Sequence, residues 1–298
     1  MSAATDTEPI HVEPLDVLFE APRAPGEVRG DDPPPTIAQR YGGPLAIGLR
    51  PDRPTVVANF VESLDGIVAI ASGPRGGGSH ISGAFEPDRF VMALLRALAD
   101  VVVVGAGTVR SAPRHEWTPR GIAPDWAGVC DAWRSRLGLA SQPTTVIVTA
   151  AGNVPADHAG LIRDDVPVVI ATSRAGARRL ASRGVPSGAR VEVLSDAGSV
   201  EPERLVALLA HMGARLALCE GGPHLLAHLL GAEAVDELFL TLAPQVLGRT
   251  PEAARLGLAE GRAWDPGAAR WAAVRSVRRA GSHLLLRYAF EGRPGPAA

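Results

Sequence analysis

From about Pro54 onwards, the chain alternates short apolar runs with segments that are apolar on one side only. Residues 55–61 are rich in β-branched side chains, which is typical of a strand, and residues 101–104 are four consecutive valines. A fully apolar run of that length indicates a strand buried on both faces. Between the two runs, residues 85–99 carry apolar side chains three and four positions apart, the spacing of an amphipathic helix. The alternation predicts an α/β fold.

The same alternation continues to the end of the chain. Further strands are predicted at residues 67–71, 144–149, 166–171, 191–194, 215–219 and 236–243. Further helices are predicted at residues 126–139, 174–183, 201–212 and 224–230. Two late runs, residues 270–279 and 283–290, are separated by a glycine-containing turn and predict a C-terminal antiparallel hairpin. We therefore expect a mostly parallel central sheet with helices on both faces.

The N-terminal part of the sequence has a different composition. The first 54 residues contain ten of the 26 prolines, and residues 1–35 carry eight acidic side chains against two arginines. Such sequence buries little apolar surface. We therefore predict a largely irregular acidic extension at residues 1–52 and a folded domain at residues 53–292. Two short apolar stretches within the extension are expected to dock on the domain or on a partner subunit: residues 15–19 and 37–41.

Composition excludes several classes of function. The 298 residues include 30 arginines and no lysine, which rules out a Schiff-base lysine, a P-loop lysine and a lysine general base. A net charge of −2 argues against a nucleic-acid-binding surface. Two cysteines, Cys130 and Cys219, cannot build a disulfide framework or a four-thiolate zinc site.

No targeting signal is recognisable in the sequence. The N-terminus has neither the basic nor the apolar region of a signal peptide, and no apolar run approaches the ~20 residues that span a bilayer. We expect a cytoplasmic protein without a membrane partner.

Two of the predicted strands end in glycine-rich turns that open helices. Residues 105–108 (GAGT) follow one strand and residues 220–223 (EGGP) follow another. Ligands of open α/β sheets bind at the carboxyl ends of strands, and the exposed N–H groups at a helix start favour phosphate. Either turn alone is also what an ordinary tight βα connection looks like. Two in one sheet favour a nucleotide site, although neither matches the G-x-G-x-x-G of a Rossmann dehydrogenase.

Each of the other polar residues near strand ends has a functional and a structural interpretation. Glu220 either orients a ligand N–H or caps its own helix. Thr172, Ser173 and Arg174 suit a ribose 2′-phosphate, because arginine matches phosphate with two hydrogen bonds, but they equally suit a helix cap followed by a solvated arginine. His224 and His228 have helical metal-ligand spacing without a third ligand, so we predict no metal site. A serine hydrolase is not indicated, since G-x-S-x-G is absent.

Three motifs, in this order along the chain, resemble those of the RibD C-terminal domain family. Members of this family are the reductases of bacterial riboflavin biosynthesis. The motifs are S-L-D-G at residues 63–66, L-R-A-L-A-D-V-V-V-V-G-A-G-T-V-R at 95–110, and E-G-G-P at 220–223 followed by V-D-E-L at 235–238. The resemblance covers residues 53–290. It implies a three-layer fold like that of dihydrofolate reductase, and a homodimer. It also implies NADPH-dependent reduction of 5-amino-6-(5-phosphoribosylamino)uracil, by hydride transfer from nicotinamide C4 to ribose C1′.

The resemblance also implies site residues. The cofactor would be held by Gly105, Gly107, Thr108, Thr172, Ser173, Arg174, Gly221, Gly222, Pro223, His224 and Leu225. The phosphorylated substrate would be held by Arg96, Ser79, Ser82, Glu220 and Arg114. The predicted catalytic residues are Glu220, Asn59 and Asp65.

The sequence departs from the family pattern on the substrate side. Asn59 stands where the family commonly carries a substrate-contacting lysine, and Ala112 replaces the usual aspartate after the G-x-G-T turn. Either Arg114 or Arg120 would take the substrate phosphate. Two alternatives therefore stay open. One is a pterin reductase, with Asp65 or Glu220 as the proton donor. The other is a catalytically degenerate paralogue that binds nucleotide.

Overall fold

The computed structural model describes residues 13–23, 25–70, 78–253 and 255–290. The strands are β1 (Asp16–Glu20), β2 (Val28–Arg29), β3 (Ile47–Gly48), β4 (Thr55–Ser63), β5 (Ala69–Ile70), β6 (Val101–Gly105), β7 (Thr144–Thr149), β8 (Val168–Ser173), β9 (Arg190–Ser195), β10 (Leu216–Cys219), β11 (Glu237–Ala243), β12 (Arg255–Leu256), β13 (Ala273–Ala280) and β14 (His283–Ala289). The helices are α1 (Pro35–Tyr41), α2 (Gly78–Ser82), α3 (Glu86–Leu98), α4 (Ala106–Ser111), α5 (Pro119–Ile122), α6 (Ala127–Arg136), α7 (Arg174–Arg183), α8 (Pro202–His211) and α9 (Pro223–Gly231).

One ten-stranded sheet forms the centre of the molecule, in the order β1-β13-β14-β11-β4-β10-β6-β7-β8-β9. From β11 to β9 every neighbouring pair is parallel. The remaining three strands are antiparallel additions at one edge, and β13 and β14 form the predicted hairpin. The predicted three-layer fold, with a mostly parallel sheet and a C-terminal hairpin, is confirmed.

Alternate side chains of the buried strands pack into two separate cores. On β6, Val102 and Val104 join the cluster beneath α1, α3 and α6, whereas Val101 and Val103 join the cluster beneath α8 and α9. A strand that is apolar at every position must be covered on both faces, because successive side chains point to opposite sides of the sheet. Two cores separated by one sheet make the three layers.

The N-terminal segment packs on the domain through a few short elements, and most of its described residues lie outside helices and strands. Strand β1 pairs with β13, and β2 pairs with β3. Five apolar side chains of the segment are buried in the core: Leu15, Ile37, Tyr41, Leu45 and Ile47. Leu15, Ile37 and Tyr41 belong to the two apolar stretches that were expected to dock, whereas Leu45 and Ile47 were not predicted. Residues 1–12 lie outside the described residues.

The strand predicted at residues 67–71 is reduced to β5, which pairs with β12 in a separate two-stranded sheet. Most of the glycine-rich loop that follows, residues 71–77, lies outside the described residues. No helix in the described ranges combines the length and the apolar character that a membrane crossing needs.

Candidate active-site cleft

The strand order creates a switch point at the centre of the sheet. From β6 the chain adds β7, β8 and β9 outwards on one side, and it then returns to insert β10 between β4 and β6. Connections that diverge in this way leave a crevice at the carboxyl ends of the central strands. A cleft of about 690 Å³ opens there, between β4, α2 and α3 on one side and the turns after β6 and β10 on the other.

The two glycine-rich turns predicted separately form one unit in the structure. A Cβ atom at Gly221 would collide with the backbone nitrogen of Gly105 and lie 2.7 Å from the Cα of Val104. Only glycine allows this close backbone approach. The turns are also joined by a hydrogen bond, since the Gly222 N–H donates to Thr108 Oγ1 at 2.9 Å.

The surface of this unit fits a nucleotide phosphate. Gly107 and Gly222 line the cleft, and the nearest atoms to a Cβ built on them are 4.0 and 3.5 Å away, so the backbone is open to a ligand. Thr108, Pro223 and His224 line the cleft beside them. The remaining predicted cofactor residues of the two turns lie behind this surface and shape it: Gly105, Gly221 and Leu225.

Arg96 is buried beneath the cleft and is fully engaged by protein groups. Its Nε and Nη2 donate to the Glu220 carboxylate at 2.9 and 2.6 Å. Its Nη1 donates to the carbonyl oxygens of Glu116 and Thr118 at 2.9 and 3.0 Å, and its Nη2 also lies 2.8 Å from His115 Nε2. Every N–H of the guanidinium thus has a partner. This favours a positioning role for Arg96, rather than the substrate contact predicted for it.

The Arg96 network fixes both Glu220 and His115 at the cleft. Glu220 lines the cleft, and its carboxylate is 5% exposed. His115 also lines the cleft; burial, followed by the charge of Arg96, lowers its pKa to about 3. Because an arginine can only donate, the Nε2 of His115 accepts and the proton resides on Nδ1. His115 is a neutral donor that sequence reasoning missed, since no motif marks it.

A second group of polar residues lines the opposite wall. Asn59 on β4 and Ser82 on α2 were predicted site residues, and both are buried at the cleft. Within the described residues the Asn59 amide has no hydrogen-bond partner. Asp88 on α3 lies on the same wall and was not predicted. Burial raises its pKa to about 6, against hydrogen bonds from the Thr241 and Ser82 hydroxyls.

Asp65 occupies a structural turn. Its carboxylate accepts hydrogen bonds from Ser63 Oγ at 2.6 Å and from the backbone N–H groups of Leu247 and Gly248 at 3.1 and 2.7 Å. These bonds, that of Ser63 first, lower its pKa to about 2. A carboxylate that is ionised at neutral pH and tied to a loop is not a proton donor, so the structure does not support the catalytic role predicted for Asp65.

The predicted 2′-phosphate residues lie at the end of β8, two strands away from β6. Thr172 Oγ1 donates to the carbonyl of Thr149, and Ser173 caps α7 by accepting from the Gly176 N–H. Both side chains are buried and line no part of the described cleft. Arg174 is exposed and is ion-paired with Asp196. Of the three, only the Arg174 side chain reaches solvent.

Arginines other than the predicted ones face the cleft. Arg89 on α3 and Arg110 on α4 line it. Arg89 donates a hydrogen bond to the backbone carbonyl of Ile122, and Arg110 donates one to that of Asn153. Ser79 also lines the cleft, whereas Arg114 and Arg120 are exposed outside the described lining. Arg120 pairs with Asp131 at 2.9 Å.

The described residues contain no group of three His, Cys, Asp or Glu side chains arranged to hold a metal ion. Cys130 and Cys219 are free and buried, and burial raises the pKa of each thiol to about 12. Neither thiol is a nucleophile in that state.

The fold and the cleft together define a class: a three-layer α/β protein with a nucleotide-type cleft at the switch point of its sheet. The RibD C-terminal domain family model matches residues 54–264, and the chain belongs to that family.

Individual relatives agree with this assignment. The chain is 29% identical, over 66% of its length and 83% of the relative's, to the 2,5-diamino-6-ribosylamino-4(3H)-pyrimidinone 5′-phosphate reductase of Archaeoglobus fulgidus. A pyrimidine reductase-like protein from Corynebacterium diphtheriae has a similar structure, with a TM-score of 0.61 and 20% identity over 80% of this chain and 93% of that one.

A two-function relative is longer than this chain. The diaminohydroxyphosphoribosylaminopyrimidine deaminase/5-amino-6-(5-phosphoribosylamino)uracil reductase of Thermotoga maritima matches with a TM-score of 0.59 and 20% identity. That match covers 80% of this chain and 56% of the Thermotoga chain. At this identity the likeness is one of fold.

Proposed function

We propose that the protein is an NADPH-dependent reductase of a phosphorylated ribosylaminopyrimidine, with 5-amino-6-(5-phosphoribosylamino)uracil as the substrate. The observation that carries the proposal is the cleft at the switch point, where the paired glycine turns face Asn59, Asp88 and Ser82 across an open volume of about 690 Å³. Family membership and the name of the Archaeoglobus relative support the same reaction class.

The cofactor is assigned to the paired glycine turns. Gly107, Thr108, Gly222, Pro223 and His224 would hold its phosphates and the adjoining sugar, because their backbone is open to the cleft and helix α9 begins there. When bound, a reduced nicotinamide supplies the hydride. The specificity for NADPH rests on a cation for the 2′-phosphate, and Arg110 within the cleft joins the predicted Arg174 as a candidate.

The substrate is assigned to the rest of the cleft lining. The Asn59 amide, which has no partner within the described residues, can hydrogen-bond a uracil edge, and the neutral His115 offers a donor on Nδ1. Glu220, Ser79 and Ser82 supply acceptors and hydroxyls. Arg89 is the best-placed cation for the sugar phosphate, because the Nη groups of its guanidinium have no hydrogen-bond partner within the described residues.

The deciding assay mixes the purified protein with NADPH and 5-amino-6-(5-phosphoribosylamino)uracil and follows the loss of NADPH absorbance. We expect turnover to the ribitylamino product, identified by mass spectrometry. Turnover of dihydrofolate with none of the pyrimidine would contradict the proposal. Tight NADPH binding without turnover of either compound would instead indicate the degenerate paralogue.

A pterin reductase is the second candidate, and one observation favours it. Asp88 is a buried acid at the cleft with a raised pKa, the kind of group that could protonate a pterin ring. The same assay with dihydrofolate tests this candidate directly.

The homodimer and the cytoplasmic location are part of the proposal. Strand β1 supports a dimer, because it lies at a sheet edge with Val17, Leu18 and Phe19 exposed to 45, 54 and 44%. Sedimentation equilibrium should give twice the mass of the chain, and a monomeric mass would contradict the dimer.

A further inference from the structure

Two aspartates are classed as buried in the described part of the chain, and they have opposite surroundings. Asp236 is 8% exposed, and it accepts hydrogen bonds from Arg50 and Arg53 at 2.7 to 2.8 Å. Asp88 is 5% exposed, and no arginine of the described ranges forms an ion pair with it. Burying a carboxylate without a cation costs free energy. A buried acid without a cationic partner is therefore either neutral or has a function that offsets this cost.

Asp88 faces the cleft rather than the core. It is the third residue of α3 and lines the cleft together with Asn59 and Ser82. Its hydrogen-bond partners are the hydroxyls of Thr241 and Ser82. A hydroxyl can donate a hydrogen bond to the carboxylate and can accept one from the protonated carboxyl group. The carboxyl can therefore exist in either protonation state without losing its partners.

The charged groups around Asp88 favour the protonated form. Glu220 raises its pKa from across the cleft, in addition to the larger effect of burial, and the result is about 6. Other charged or titratable groups on these elements are Glu86, Arg89 and Arg96 on its own helix, His80 on α2, Glu62 on β4, Glu237 on β11, the neutral His115 on the loop before α5, Arg287 on β14, and His283 on β14, which contacts the Ser82 carbonyl. Arg96 is already committed to Glu220.

The cleft thus holds two carboxyl groups in different surroundings. Glu220 is ion-paired with Arg96, whose Nε and Nη2 donate to it, and Asp88 has no such partner among the described residues. Pairs of acids whose environments differ in this way divide the roles of anion and proton donor.

The proposed reaction needs one proton donor. Opening the ribose ring breaks the C1′–O4′ bond; O4′ takes up a proton, and the nitrogen lone pair forms a C1′=N iminium. Hydride addition to C1′ then gives the neutral ribitylamino group. The balance is one substrate, one hydride and one proton for one product.

We propose that Asp88 gives this proton to O4′ as the C1′–O4′ bond breaks, and that it is reprotonated from solvent afterwards. The proposal deepens the proposed function and rests on it. It assigns the proton donor to a residue that belongs to none of the sequence motifs.

The first test replaces Asp88→Asn, which keeps the shape and removes the acid. We expect kcat to fall about 100-fold, the usual contribution of a general acid, with NADPH affinity unchanged. In the wild type the donor must be protonated, so kcat should fall as pH rises through the pKa of Asp88, and this limb should vanish in Asp88→Asn. Glu86→Gln is the matched control, because it removes an exposed carboxylate from the same helix, and it should change neither kcat nor the pH profile.

A second variant keeps the test decisive if Asp88→Asn does not fold. Thr241→Val removes a hydroxyl whose hydrogen bond lowers the pKa of Asp88, so the falling limb should move to higher pH while Asp88 itself is untouched. If the falling limb does not move in Thr241→Val, or if Asp88→Asn keeps a near-normal kcat, the role of Asp88 as proton donor is overturned while the proposed function stands. A wild-type protein that does not reduce the pyrimidine would overturn the proposed function, and the assignment with it.

Discussion

Single residues in this protein owe their roles to what surrounds them rather than to their type. Arg96 and Arg174 were both predicted site residues, yet Arg96 is fully buried and Arg174 is exposed. Asp65 and Asp88 are both aspartates near the cleft, yet their pKa values are about 2 and about 6. Hydrogen-bond donors surround the first carboxyl, and apolar burial dominates the second. The sequence indicates which residue types are present but does not reveal these partners, because they come from distant parts of the chain.

The first prediction concerns the buried pair of Arg96 and Glu220. Arg96→Ala leaves the Glu220 carboxylate buried without a cation and removes the donors to the loop at residues 115–118. We expect the free energy of unfolding, measured by urea titration, to fall by about 3 to 5 kcal/mol. Arg110→Ala is the control and should stay within about 0.5 kcal/mol of wild type. Equal stability of the two variants would contradict the positioning role.

The second prediction separates two adjacent glycines. In Gly221→Ala the new methyl group meets the Gly105 backbone, so we expect a loss of about 1 to 3 kcal/mol in stability. In Gly222→Val the side chain projects into the cleft, so NADPH affinity should fall about tenfold or more while the melting temperature stays near that of wild type. Fluorescence titration and calorimetry measure the two effects. Unchanged NADPH affinity in Gly222→Val would place the cofactor elsewhere.

Helices and strands follow the sequence pattern most closely where they are buried. The helix predicted at residues 85–99 is observed as α3, and the valine run at 101–104 is observed as β6. The short helices α2 and α5 and the strands β1 to β3 escaped prediction, because each is too short to show a period. Their existence depends on long-range pairing, such as that of β1 with β13.

The third prediction tests which strand-end turn selects NADPH over NADH. Arg174→Ala, after β8, and Arg110→Ala, after β6, each remove one cation from the carboxyl edge of the sheet. The variant that removes the 2′-phosphate partner should lose about tenfold in affinity for NADPH and little for NADH, since arginine binds phosphate through charge-assisted hydrogen bonds. The ratio of the two dissociation constants is the readout. An unchanged ratio in Arg174→Ala removes that residue from the 2′-phosphate site.

At the scale of the whole molecule, the N-terminal segment is tied to the domain by ion pairs and by strand pairing. Arg29 pairs with Asp100 at 2.7 Å, and Glu27 pairs with Arg215, so the segment bridges the amino ends of central strands. The α/β class and the meeting of the two glycine turns could be predicted from the sequence. The docking of two apolar stretches of the N-terminal segment could be predicted too, but the pairing of β1 with β13 and of β2 with β3 could not, because it depends on distant parts of the chain.

The fourth prediction tests whether the N-terminal segment and the domain unfold together. Ile37→Ala removes a side chain that is 1% exposed in the main core, and it should cost about 2 to 5 kcal/mol in the free energy of unfolding. Leu18→Ala, at a position 54% exposed, should cost less than about 0.5 kcal/mol. A single unfolding transition in Ile37→Ala, shifted to lower denaturant, would show one unit. A separate early transition would instead show that the segment unfolds independently.

The late insertion of β10 between β4 and β6 has a consequence for how the protein is made. A ribosome delivers β4 and β6 well before residues 216–223, so the strand that separates them in the final sheet is made last of the three. Half of the proposed cofactor site arrives only with the EGGP turn, where Gly221 then packs against Gly105. Dinucleotide added during synthesis therefore cannot stabilise a nascent chain until more than two thirds of it has been translated. Nucleotide capture at the proposed site would therefore report the insertion of β10, before β11, β13 and β14 are added.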